Sequence, residues 1–164
     1  MSKKLGRFVA LFGSLALITA GLALAAVVTV NSASNATLGK VVVSSKGLTL
    51  YHNTKETAGK IKCTGSCTTI WPPLLIGANA TPKAGPGVLA SKLGKIKRPN
   101  GRFQVTYFGK PLYRYAPDSK PGSVKGEGIQ GIWFAIKANG ALAKKPVTGG
   151  TTTNTTTSTL PGYP

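Results

Sequence analysis

Two cysteines and one histidine are the side chains of this sequence best suited to redox or metal chemistry. Cys63 and Cys67 are the only cysteines, and His52 is the only imidazole. An even cysteine count in an exported chain predicts a disulfide. Redox exchange is one alternative, although the spacing is one residue longer than a thioredoxin-type pair. Metal binding by His52 and both thiolates is the other. We predict a structural disulfide, no cofactor and no metal site.

Three carboxylates are the only candidates for acid–base catalysis: Glu56, Asp118 and Glu127. A glycosidase-like pair needs two of them about 5–10 Å apart, which a pseudo-two-fold packing of Glu56 and Asp118 would allow. We instead predict a protein that is not an enzyme, in which the acids organise loops. Asp118 is expected to accept hydrogen bonds from the turn at 119–122, and the longer Glu56 to do so less well. His52 is expected to be exposed.

The candidate residues lie in a segment that occurs twice, 62 residues apart and without a gap. A fixed period indicates one supersecondary unit used twice. The sequence therefore predicts an all-β, pseudo-symmetric domain of two β-hairpin-plus-loop repeats, at about 40–76 and 102–138, joined by a linker at 77–101. The matched pairs are Val43 and Val105, Gly47 and Gly109, Leu50 and Leu112, Tyr51 and Tyr113, Glu56 and Asp118, Ile70 and Ile132, and Trp71 and Trp133.

Strand and turn signals support each hairpin. Residues 39–45 and 48–52 flank a turn at Gly47, and 102–108 and 111–115 flank a turn at Gly109. The Asn100-Gly101 turn predicts that 92–98 pairs with 102–108. Each tryptophan is expected to fold back onto its own hairpin, against the tyrosine and Leu50 or Leu112, as a core residue rather than a ligand platform.

Both ends of the chain look non-globular. Basic residues 2–7 precede 23 uncharged residues at 8–30 and small polar residues at 31–36, which is the plan of a signal peptide cleaved after Ala36. An uncleaved membrane anchor is the alternative. We therefore predict a signal peptide or anchor at 1–36, a domain at 37–147 and a disordered Thr-rich tail at 148–164. In either case the protein is secreted or membrane-anchored, outside the cytoplasm.

The charge of the chain favours anionic partners. Lysine and arginine number 21 against three acids, and removal of residues 1–36 lowers the net charge from +18 to +15. The expected partners are anionic envelope polymers or lipid headgroups, held by non-specific electrostatics. No sequence-specific nucleic acid is expected, and the membrane is expected to be contacted only through an uncleaved N-terminal segment. Only one group of cations clusters: Lys95, Lys97, Arg98 and Arg102.

The segment Gly109 to Asp118, with Tyr113, Tyr115 and Asp118, resembles the bacterial "secreted repeat of unknown function" family. Its members are predicted lipoproteins with a Tyr-x-(Phe/Trp/Tyr)-x-x-Asp motif. Asn53 and Glu56 replace the second aromatic and the acid in the first copy, and the lipid-acceptor cysteine is missing. The resemblance implies a location and a repeat but no activity. We predict a cell-envelope binding or structural module. The alternative is a redox or electron-transfer accessory protein that uses Cys63 and Cys67, with or without a metal.

Overall fold

The computed structural model describes residues 27–57 and 59–144 and is mostly short strands, as the sequence predicts. The predicted tail at 148–164 and most of the predicted signal peptide or anchor lie outside the described residues. The elements, in chain order, are β1 (Thr29–Asn35), β2 (Gly39–Ser44), β3 (Tyr51–Asn53), α1 (Cys67–Ile70), β4 (Leu75–Ile76), β5 (Lys83–Ala84), a 3-10 helix (Ala90–Lys92), β6 (Leu93–Lys97), β7 (Phe103–Tyr107), β8 (Lys110–Pro111), a second 3-10 helix (Ile129–Gly131) and β9 (Trp133–Ala135).

The strands form three small sheets. One has the order β2-β1-β5, the second pairs β3 with β9, and the third has the order β4-β7-β6 with β8 added to β7. The antiparallel β1–β2 pair and the antiparallel β6–β7 pair are the largest strand contacts. The second is the predicted pairing of 92–98 with 102–108.

The domain starts earlier than the sequence predicts. β1 pairs with β2 along its whole length, from Val30 opposite Ser44 to Asn35 opposite Gly39. Val30 is fully buried, and burying such a side chain stabilises the fold by roughly 1.5–3 kcal/mol. The predicted boundary after Ala36 falls between these two paired strands, so cleavage there would remove β1 from its sheet. The sequence does not reveal this start, because Val27, Val28 and Val30 continue the N-terminal hydrophobic run.

The second repeat also starts earlier than predicted, with a strand inside the supposed linker at 77–101. β6 precedes β7 and pairs with it antiparallel, just as β1 precedes β2 and pairs with it. Val30 lies opposite Ser44 in the first repeat, and Leu93 lies opposite Tyr107 in the second. Each repeat is therefore a three-stranded unit rather than a lone hairpin.

The ungapped register fails by one residue in the first strand of each hairpin. Leu50 donates its backbone N–H to Val42, whereas Leu112 donates to Val105. Val42 and Val105, rather than Val43 and Val105, are thus equivalent, and both lie in the same apolar cluster. The second hairpin turns through Phe108 and Gly109, with φ of 48° and 70°. The two positive φ values make a tight two-residue turn, and the first hairpin uses one residue more.

The two repeats exchange strands around a pseudo-two-fold axis. β9, which follows the second repeat's loop, pairs with β3 of the first repeat, and Pro73 of the first bridges Tyr113 of the second. On the axis, Tyr51 and Tyr113 exchange backbone hydrogen bonds of 2.8 and 2.9 Å. The backbone segment at each tryptophan therefore pairs with the tyrosine segment of the other repeat. The expectation that it folds back onto its own hairpin is wrong for the backbone.

The core has two parts on opposite sides of these strands. One contains both tryptophans, Tyr51, Tyr113 and the cysteines. The other contains Leu50 and Leu112 with valines and isoleucines of both repeats. Among the described residues, no helix is both long and apolar enough to cross a membrane.

Candidate functional site

An aromatic cluster occupies the pseudo-two-fold axis. The Trp71 and Trp133 rings stack with centroids 3.9 Å apart and planes 5° apart. Each tryptophan meets its own repeat's tyrosine edge-on, Tyr51 at 5.5 Å and Tyr113 at 5.2 Å. The predicted packing against the tyrosine is therefore present, but Leu50 and Leu112 lie in the other half of the core. Both tryptophans are at most 3 % exposed, so their rings do not offer a stacking face to a ligand.

The motif tyrosines and acids pair across the axis. The Tyr51 hydroxyl donates to Asp118 Oδ2 at 2.6 Å, and the Tyr113 hydroxyl donates to Glu56 Oε1 at 2.8 Å. Each tyrosine thus binds the acid of the other repeat, and both partners of each pair are buried. This geometry explains why the tyrosine and the acid recur together. Each pair takes its tyrosine from one repeat and its acid from the other.

Glu56 closes the loop of the first repeat. Its Oε1 accepts the backbone N–H groups of Lys62 and Cys63 at 2.8 and 2.9 Å, in addition to the Tyr113 hydroxyl. The side chain is only 3 % exposed. Glu56 was expected to hold its loop less well than Asp118 because its side chain is longer. In the structure one oxygen of Glu56 accepts three hydrogen bonds, so its length does not prevent it from fixing the loop.

Asp118 organises its loop with a different donor from the predicted one. Its Oδ1 accepts the N–H of Lys125 at 3.0 Å, which corresponds to Cys63 in the first repeat. The expected bonds to the turn at 119–122 are not the ones formed, because Oδ2 faces Tyr51. The same Tyr51 hydroxyl accepts the N–H of Gly126 at 3.3 Å. A Cβ at Gly126 would come within 2.9–3.0 Å of the Tyr51 and Trp71 rings, so this position needs glycine.

The environment keeps both phenols protonated. Burial, followed by the hydrogen bond to Asp118, raises the pKa of Tyr51. Burial, followed by the charge of Glu56, raises the pKa of Tyr113. A phenol next to a buried carboxylate resists ionisation because a second negative charge would be created there. Both tyrosines therefore act as hydrogen-bond donors, and neither is poised as a base.

The cysteines form the predicted disulfide. Cys63 and Cys67 are bonded, with Cα atoms 5.3 Å apart. Cys63 is fully buried and Cys67 is 7 % exposed, so the bond is shielded from attack by an outside thiol. Two of the three weak metal candidates, Cys63 and Cys67, are thus bonded to each other through their sulfurs. Within 27–57 and 59–144, no three His, Cys, Asp or Glu side chains are grouped as a metal site.

His52 is buried, contrary to the predicted exposed position. It is 5 % exposed and pairs with Phe134 of β9 in the second sheet. Burial lowers the pKa of His52 to about 4, despite a hydrogen bond to the Pro111 carbonyl. Alternation along β3 correctly puts it on the face opposite Tyr51, but the strand exchange covers that face as well.

The third acid, Glu127, is also internal. It is 8 % exposed, and its Oε2 accepts the N–H of Ala135 in β9 at 2.8 Å. It therefore anchors the strand that carries Trp133. Each of the three carboxylates of the chain is held by protein donors.

A family model described as a secreted repeat of unknown function matches residues 32–75 and again residues 94–137. The chain belongs to this family. The first match starts in β1 and the second in β6, so both include a strand that lies before the predicted start of its repeat. A secreted family makes this chain an extracytoplasmic module, and the family's description leaves its molecular role open. Searches of curated proteins and of solved structures find no match.

Arg98, one of the four clustered cations of this secreted repeat, is a buried residue of the site. It is only 4 % exposed. Its guanidinium donates to Gln104 Oε1, to the Tyr113 hydroxyl at 3.2 Å and to the Cys63 carbonyl at 2.5 Å. The one available signal was Gln104, since a glutamine within the apolar strand β7 needs a polar partner.

The surface of the secreted repeat is cationic throughout. Of the seventeen lysines and arginines among the described residues, Arg98 is the only buried one. The three carboxylates are 3–8 % exposed. The charges are therefore sorted by depth, with acids inside and lysines outside.

Proposed function

We propose that this protein is a non-enzymatic module of the cell envelope that binds anionic envelope polymers or lipid headgroups through its surface lysines. The observation that carries the proposal is the sorting of charge by depth. Among the described residues, the surface has many ammonium groups and no exposed carboxylate side chain. Such a surface attracts polyanions at long range, and no acidic side chain competes with them for the lysines.

The use of the acids supports a role without catalysis. A general acid or base must reach a substrate proton within hydrogen-bond distance. Glu56, Asp118 and Glu127 are instead buried, and each accepts a backbone N–H. The buried disulfide likewise favours a structural role over the redox alternative.

The proposal includes secretion, or tethering by the N-terminal segment, as the way in which the domain reaches the envelope. The structured domain is expected to follow that segment directly, because β1 starts at Thr29. N-terminal sequencing of protein recovered from culture medium and from membranes tests this part, and a mature chain starting at Thr37 would contradict it.

Binding is tested with vesicles and polymers of defined charge. We expect the purified mature protein to bind vesicles rich in phosphatidylglycerol and immobilised heparin, and not phosphatidylcholine vesicles or dextran. Exposed lysines act by releasing counterions, so binding should weaken steadily with salt. Retention at ~1 M salt, where the Debye length is ~3 Å, or equal binding to neutral supports, would contradict the proposal.

A further inference from the structure

One cleft of the molecule concentrates unpaired positive charge. It lies between the loop of the first repeat, which carries Lys60 and Lys62, and the end of β6 at Lys97, with Arg98 and Pro99 at its edge. Its volume is about 400 Å³, within the range of ligand sites. A second groove continues from the same Arg98 and Pro99 toward Thr64 and Asn100. The two pockets share Arg98 and Pro99 in their linings, and we call the pair the lysine cleft.

The three lysines of the cleft are available to a ligand. All are exposed, and among the described residues no acceptor holds their ammonium groups. Lys95, two residues before Lys97 on β6, shows the contrast, since its ammonium donates to the carbonyls of Ala78 and Ala80. The nearest acid in sequence, Glu56, is turned inward onto the backbone of Lys62.

The pseudo-two-fold axis provides an internal comparison. With the offset of 62 in the loops and 63 in the first strands, Lys60, Lys62 and Lys97 correspond to Gly122, Val124 and Ser34. Arg98 corresponds to Asn35, whose amide donates to the Gly122 carbonyl. None of these positions carries a cation in the second repeat, whose loop instead has exposed lysines at 120 and 125. The lysines around the cleft are therefore not a consequence of the repeat itself.

We propose that the lysine cleft binds the phosphate groups of an extended polyol-phosphate polymer, an inference that rests on the proposed polyanion binding. Ammonium groups bind phosphate as point charges without a fixed geometry, whereas the planar fork of arginine suits bidentate contacts to carboxylate and phosphate alike. The only arginine of the cleft, Arg98, is already held by Gln104, Tyr113 and Cys63. Thr64 and Asn100 in the adjoining groove supply a hydroxyl and an amide for the hydroxyls of the polyol.

The test compares two variants of equal charge. In the cleft variant, Lys60, Lys62 and Lys97 are replaced by Gln. In the control variant, Lys83, Lys120 and Lys144 are replaced by Gln, since these lysines are exposed and do not line the cleft. Both variants should keep the wild-type midpoint of unfolding, because substitutions of exposed side chains barely change stability, and urea melts check this. Binding of poly(glycerol phosphate) by the full mature chain is measured over a range of salt.

We expect the cleft variant to bind about tenfold or more weakly. The slope of log affinity against log salt concentration should become shallower by about two to three, and the control variant should change much less. Equal losses in both variants would overturn the cleft while leaving the proposed polyanion binding intact. A wild-type protein that binds neither this polymer nor anionic vesicles would overturn both. Polygalacturonate, which carries carboxylates, should bind the two variants with the same affinity. If it distinguished the two variants as strongly as poly(glycerol phosphate) does, the assignment to phosphate would be wrong.

Discussion

The two repeats are alike where they meet and different where they face solvent. At the axis, a tyrosine, an acid and a tryptophan from each repeat make matching contacts, with stacked rings 3.9 Å apart and crossed tyrosine–carboxylate bonds of 2.6 and 2.8 Å. In the outer loops, the first repeat has a disulfide and the lysine cleft, while the second has Gly126 packed against Tyr51 and Trp71.

This difference separates residues that build the fold from residues free to acquire a function. A contact across the axis uses one side chain from each copy, so a change in one copy removes a partner that the other copy needs. A loop residue away from the axis has no such constraint. The motif acids belong to the first class, and the cleft lysines to the second.

The tryptophans are expected to show the largest effect and to behave as equals. Trp71→Ala and Trp133→Ala should each reduce the free energy of unfolding by about 3–5 kcal/mol, because each removes one half of the same stack. Urea melts measure this, with Trp71→Phe and Trp133→Phe as milder controls. If one alanine variant were tolerated at little cost, the two repeats would not share one core.

His52 breaks the symmetry, since Arg114 at the matching position is half-buried. The pKa of His52 is about 4 in the fold and about 6.5 unfolded, so below pH 6.5 the unfolded chain binds a proton that the folded chain does not. The free energy of unfolding should therefore not depend on His52 above pH 6.5, and it should fall by about 3 kcal/mol as the pH falls to 4. His52→Gln should remove this dependence.

The imidazole can be followed directly, because the chain has one histidine. An NMR titration of the folded protein that gave a pKa near the ordinary value would contradict the buried position of His52.

The disulfide is expected to have a smaller effect, confined to the first repeat. The loop between Cys63 and Cys67 is short, so its loss should cost about 2 kcal/mol. The double variant Cys63→Ser and Cys67→Ser should keep the fold, since Lys125 and Ile129 serve at the matching positions without a bond. Reductant should destabilise the wild type and leave the variant unchanged. Loss of folding in the variant would mean that the first loop depends on the bond far more than the second repeat suggests.

Local patterns predicted much of this architecture. The hairpins, the β6–β7 pairing, the disulfide and the repeat follow from alternation, turn residues and cysteine count, which act over a few residues. The exchange of strands was not predictable in this way. The tryptophan segment could pair with the tyrosine segment of its own repeat or with that of the other repeat. Both arrangements need the same recurring tyrosine and tryptophan, so the sequence pattern does not distinguish them.

The errors in the site have related causes. His52 was expected at the surface because alternation identifies the face of a strand but not what covers it. Arg98 was grouped with lysines by its charge, although its three protein partners come from distant parts of the chain. The start of the domain was missed because the apolar residues before Asn31 continue the N-terminal hydrophobic run.

The motif acids bind the other repeat's tyrosine, and this contact rather than a substrate explains their presence. A double-mutant cycle on urea melts tests it, combining Tyr51→Phe with Asp118→Asn, and Tyr51→Phe with Glu56→Gln as the within-repeat control. We predict a coupling energy of about 1 kcal/mol or more for the crossed pair and close to zero for the control. No coupling between Tyr51 and Asp118, with stability unchanged in the single variants, would contradict the account and return the acids to the list of catalytic candidates.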